Sequence, residues 1–87
     1  MKFDDLVFDR PGVFGGKFFY ALAFFDNGLG VHVHPNLVRE ELYEASVVKG
    51  SPDYWVTATS INTDLGIREF PMSAEEVTAI MARVAAL

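Results

Sequence analysis

Two histidines, His32 and His34, stand two residues apart in the segment HVHP, and the chain has no others. On a strand, that spacing projects both rings to the same side of a sheet, about 7 Å apart by the strand rise. Imidazoles so placed could begin a zinc or nickel site, which needs three or four ligands and hydrogen bonds that orient them. The remaining ligands would be carboxylates brought from elsewhere, Glu44 among the candidates. The alternative is that both rings coat the more polar face of a hairpin. Because His titrates near neutrality, the pair could also carry a pH response.

Other reactive arrangements are missing. Ser46, Ser51, Ser60 and Ser73 lie in no nucleophile elbow. The carboxylates are numerous enough for an acid and base pair, but no setting singles one out. The run GVFGGK lacks P-loop spacing, no Ser or Thr follows Lys17, and a strand rather than a helix comes next. The expectation is a protein that is not an enzyme and needs no cofactor.

Residues that bind rather than react are more prominent. The chain has 87 residues, of which 51% are hydrophobic, with eight Phe, three Tyr and one Trp. A single domain spanning residues 1–87 buries only about 60 to 65% of its unfolded surface. Part of the aromatic surface is therefore available to a partner or a second copy, unless the core is simply rich in Phe. Tyr54 and Trp55, with Tyr43 across from them, are the kind of side chains that anchor interfaces, although packing in the core is an alternative fate. Phe19 and Phe25 are expected on the less apolar face of a hairpin. Glu40, Glu41 and Glu44 form one acidic cluster, and Asp4, Asp5 and Asp9 another. Such clusters could imitate nucleic acid for a basic partner or be ordinary solvated faces.

Seven Lys and Arg against twelve Asp and Glu give a formal charge of −5, which argues against holding nucleic acid through its phosphates. Without Cys there are no disulfides or thiolate metal sites. The acidic start MKFDDLVFD does not read as a signal peptide, and no stretch approaches the roughly 18 apolar residues of a membrane span. A soluble, cytoplasmic protein is expected.

The elements that must position these residues begin with a hairpin. Asp26-Asn27-Gly28 separates two β-forming runs, and Asn-Gly favours a two-residue type I′ turn. With Asn27 and Gly28 as the loop, Phe24 faces Val31, Ala23 faces His32, Leu22 faces Val33 and Ala21 faces His34. Phe18, Tyr20, Leu22, Phe24, Val31 and Val33 would then be buried, and Phe19, Ala21, Ala23, Phe25, Gly30, His32 and His34 would form the opposite face. Before the hairpin, Arg10-Pro11-Gly12-Val13 fits a type II turn and Gly15-Gly16 allows a bulge. After it, Asn36 could cap a helix through Leu37, Val38, Glu41, Leu42 and Ala45, but a loop or one helical turn followed by a strand over residues 42–48 is favoured. A turn at residues 49–53 leads into YWVTATSI as a strand over residues 54–61. That register sets Val47 opposite Trp55 and Tyr43 opposite Thr59. A turn over residues 62–66 and a short strand over residues 67–70 follow. Last comes a helix, with Ser73 and Glu76 as a capping box, Met72 and Val77 as a hydrophobic staple, and an apolar stripe of Val77, Ile80, Met81, Val84 and Leu87. Together these elements predict an α+β domain, an antiparallel meander of four to five strands with the C-terminal helix packed on one face.

The succession of DNGLGVHV, LYEASVVKG, a Trp-containing strand and SAEEVTAIMARVAAL resembles small uncharacterised accessory proteins of tailed bacteriophages. The resemblance covers residues 24–87, and neither HVHP nor the aromatic N-terminal third belongs to it. It transfers no catalytic residue. It implies an accessory phage product that works by binding a host protein, in the manner of inhibitors of CRISPR and other defence systems, in the host cytoplasm. The leading expectation is thus a non-enzymatic, acidic protein-binding module. A homo-oligomeric assembly component of a phage, built as a dimer on a free face or edge, and a metal-binding protein using His32 and His34 are the alternatives.

Overall fold

The computed structural model describes residues 1–11, 19–67 and 71–87. Strands β1 (Arg10–Pro11), β2 (Phe19–Phe24), β3 (Leu29–Pro35), β4 (Tyr43–Ser51) and β5 (Tyr54–Thr57) form one antiparallel sheet in sequential order. Helix α1 spans Thr59–Asp64 and helix α2 spans Ala74–Ala85. The expected α+β meander with a C-terminal helix on one face is the architecture found.

Helix α2 starts where its chemistry directs. The Ser73 side chain accepts a hydrogen bond from the Glu76 amide, and the Glu76 carboxylate accepts one from the Ser73 amide, satisfying two N-terminal donors reciprocally. Met72 and Val77, the staple pair, are both buried. Val77, Met81 and Val84 pack on Val31, Val33, Ala45 and Val47, with Ile61 and Leu65 alongside. A two-bond bridge between Tyr43 and Met72 fastens the approach to α2 onto the start of β4.

The hairpin between β2 and β3 departs from the expected register by one residue. Ala21 pairs with Val33, Leu22 with His32, Ala23 with Val31 and Phe24 with Gly30. The loop has three residues rather than two. The Phe25 carbonyl accepts from the Gly28 amide at 3.2 Å and the Phe25 amide donates to Leu29 at 2.8 Å. Gly28 takes φ +79°, while among the described residues no non-glycine has positive φ. This is the pattern of a turn followed by a left-handed glycine, not the type I′ turn, which requires positive φ at both central positions. Since side chains alternate strictly, the slip moves all of β2 to the opposite side. Ala21, Ala23 and Phe25 share the core side with Val31 and Val33, and Tyr20, Leu22 and Phe24 share the other side with the histidines.

The next hairpin also differs. Val48 pairs with Thr57, Gly50 with Trp55 and Ser51 with Tyr54, so Val47 does not face Trp55. Strand β5 stops at Thr57, and the segment expected to continue as strand and turn forms α1 instead. Asn62 explains the stop. Its side-chain Oδ1 accepts from the Val47 amide at 2.8 Å, and its Nδ2 donates to the Val47 and Ala58 carbonyls at 3.0 Å each. One side-chain amide thus takes over bonding of β4 where β5 leaves it. The expectations placed on residues 12–18 and 68–70, including Phe18, the glycine pair and most of the last short strand, lie outside the described residues. Among the described residues no helix is long and apolar enough to cross a membrane.

Candidate functional site

With the apolar side of the sheet under α1 and α2, the opposite side collects the side chains with chemistry. Strand β2 contributes Tyr20, β3 contributes His32 and His34, β4 contributes Glu44 and Ser46, and β5 contributes Trp55 and Thr57. Register brings them together, since His32 pairs with Ser46 and His34 with Glu44 across β3 and β4.

His32 sits at the centre. Its ring lies 4.5 Å from that of Tyr20 and 5.3 Å from that of Trp55, centroid to centroid, with His34 at 5.7 Å. Burial among these rings, reinforced by the neighbouring His34 charge, lowers the His32 pKa from 6.5 to about 4. The ring is therefore neutral at physiological pH. The His34 ring Nδ1 lies 3.0 Å from the Pro35 carbonyl. Because a carbonyl only accepts, that contact places a proton on Nδ1.

Beside this cluster opens a cavity of about 190 Å³ lined by His32, His34, Glu44, Ala45, Ser46, Trp55 and Thr57. The Glu44 carboxylate accepts a hydrogen bond from Asn36 Nδ2 at 3.3 Å. Asn36 is itself held in place, because its Oδ1 accepts from the Val38 and Arg39 amides at 3.0 and 2.8 Å. This turn shapes the loop expected after Pro35 and steadies one wall of the cavity.

The residues proposed from sequence separate into groups. Trp55, His32, His34 and Glu44 converge on the cavity. Tyr43 instead joins Phe3 and Phe8, its ring 4.6 and 5.9 Å from theirs, and it packs with Phe25 against the core. Phe19 is exposed on β2 and Tyr54, 78% exposed, stands on the edge strand β5. Glu40 is exposed, and Glu41 pairs with Arg39 at 2.7 Å on the surface. Hydrogen bonding to the Glu41 backbone, then to Arg39, holds the Glu41 carboxyl below its ordinary value. Tyr20, Ser46 and Thr57 join the site without having been expected there. A two-residue Asn-Gly loop turns Tyr20 toward the core, so the one-residue difference in register is what brings it to this face, whereas Ser46 and Thr57 carry no distinguishing motif.

Comparison with known proteins yields no match: no family model fits the chain, and no curated protein or solved structure aligns with it.

Among the described residues neither imidazole hydrogen-bonds to a hydroxyl or a carboxylate. No group of three His, Cys, Asp or Glu among them is placed to hold a metal ion. What the site offers is aromatic surface, a carboxylate, two hydroxyls and a neutral imidazole.

Proposed function

We propose that this chain is a non-enzymatic protein-binding module whose contact surface is the sheet face opposite α2, centred on Tyr20, His32 and Trp55. The observation that carries the reading is a half-buried ring cluster bordering an open cavity, on the side of the sheet that the two helices leave free. Large aromatic side chains beside a water-accessible pocket are the usual anchors of protein interfaces. The formal charge of −5 favours a partner with a basic surface, since complementary fields accelerate encounter. An inhibitor of a host protein, of the accessory phage kind, is the form of this reading that rests on the resemblance of residues 24–87 alone.

The test is affinity capture from bacterial lysate with the wild type and Trp55→Ala run side by side, both verified as folded by circular dichroism. The expected result is a specific partner retained by the wild type and lost by the variant. Absence of any specific partner, or its equal retention by Trp55→Ala, overturns the reading.

A second reading is association between copies through β5. Tyr54 and Val56 are exposed on this edge strand, and an uncovered apolar edge is a template for pairing. Light scattering decides it, because a strict monomer at high concentration removes it.

A further inference from the structure

Resting on the binding-module reading, we propose that the cavity beside Trp55 receives an arginine side chain of a basic partner protein, with the guanidinium stacked on the indole and paired with Glu44. The walls supply what a guanidinium requires. Trp55 presents the aromatic face that attracts cations most strongly. Glu44 offers a carboxylate whose position is set by Asn36, and Ser46 and Thr57 add hydroxyl oxygens able to accept N–H bonds. Among the described residues no Lys or Arg lines the cavity.

His32 does not oppose a cation, since burial lowers its pKa to about 4 and leaves it neutral near pH 7; the His34 Nδ1 is turned to the Pro35 carbonyl at 3.0 Å. An anion would meet the Glu44 carboxylate with no Lys or Arg among the described lining residues to compensate it, and an apolar occupant would strip that carboxylate of water without replacing the lost bonds. Arginine is favoured over lysine because a planar, weakly hydrated fork can stack and pair at once, whereas an ammonium is a strongly hydrated point charge.

Trp55 is the only tryptophan, so its fluorescence reports directly on the cavity. The experiment titrates the full chain with N-acetyl-arginine amide, N-acetyl-lysine amide and N-acetyl-citrulline amide at neutral pH, on the wild type and on Glu44→Gln. The expected result is a saturable response strongest for arginine and about tenfold weaker for the uncharged citrulline, with a similar loss in Glu44→Gln. Circular dichroism confirms that the variant is folded. Equal binding of citrulline, undiminished binding by Glu44→Gln, or no saturation with arginine overturns the proposal.

The same variants separate this failure from failure of the broader reading. A captured partner that Glu44→Gln retains and Trp55→Ala loses rejects the arginine pocket but leaves the protein-binding module standing. Saturable arginine binding in a chain that captures no specific partner supports the pocket and rejects the module as the chain's role.

Discussion

Asn27 donates from Nδ2 to the Val84 carbonyl at 2.9 Å and to the Leu87 carbonyl at 3.1 Å, so the tip of the β2–β3 hairpin caps the C-terminal turn of α2. The same side chain accepts from the Leu29 amide at 3.0 Å through Oδ1. One residue thereby shapes the loop and ties it to the helix that covers the core. The last carbonyls of a helix lack their regular partner four residues on, and here the Val84 carbonyl accepts from the Leu87 amide at 3.2 Å and from the distant turn as well. Asn27→Ala should destabilise the protein by about 1 to 2 kcal/mol, read as a lower denaturant midpoint. Amide exchange should accelerate in the last turn of α2, while unchanged exchange there would refute the coupling.

Asn62 invites a sharper test, since three hydrogen bonds converge on it. Asn62→Leu keeps the volume and removes every one, leaving the Val47 amide unpartnered within the sheet while the Val47 carbonyl keeps the Ala58 amide at 2.9 Å. A loss of about 2 to 3 kcal/mol is expected. Asn62→Asp should fall close to it, because the acceptor bond from the Val47 amide survives but both donor bonds are gone. Thermal or chemical denaturation of the two variants measures the difference.

His32 makes stability depend on pH. Its folded pKa of about 4 lies below its unfolded 6.5, so between those values the unfolded chain binds the extra proton. The contribution is fully present above about pH 6.5, falls as the pH drops, and levels off below about pH 4. Discounted for partial exposure, the swing is about 2 kcal/mol. His32→Phe should flatten the stability profile across that window. A wild-type midpoint that stays constant from pH 7 to pH 4.5 would contradict this assignment.

Two glycines close together should respond differently to alanine. A Cβ at Gly30 would come within 2.5 Å of the Ala23 carbonyl oxygen and 2.9 Å of Phe24 Cδ1. Strand β2 would have to move, at a cost of about 2 kcal/mol or more. At Gly28 nothing lies within 4 Å, but φ is +79°, so the cost is only the left-handed conformation, about 1 to 2 kcal/mol. A Gly30→Ala variant as stable as Gly28→Ala would show that the β2–β3 register described above is wrong.

The hairpin shows where sequence reasoning ran out. Along β2 and the residue after it, Phe19, Ala21, Ala23 and Phe25 alternate with Tyr20, Leu22 and Phe24, and both sets are apolar. Alternation cannot choose between two apolar faces, and the preference for burying larger side chains selected the wrong one. The loop was equally ambiguous, since Asp-Asn-Gly suits a two-residue type I′ loop and a three-residue loop ending in a left-handed glycine. Choosing the first displaced Tyr20 from the histidine face and placed Phe25 on it. Trp55, His32, His34 and Glu44 were nonetheless recognisable as individuals, because aromatic, imidazole and carboxylate groups stand out by type. Their meeting around one cavity was not, because it requires the registers of three ladders at once.

By itself the sequence determined the elements whose causes are local: the capping box of α2 and its apolar stripe from Val77 to Val84, though not Leu87, which lies exposed beyond the helix, the chain reversals around Gly28 and Pro52, and the strands between them in meander order. Those features depend on groups within a few residues of each other. Tertiary structure alone decided which side of β2 meets the helix, where β5 yields to α1, and which side chains surround His32. These outcomes depend on long-range bonds, Asn27 to the end of α2 and Asn62 to β4, that no periodicity along the chain encodes.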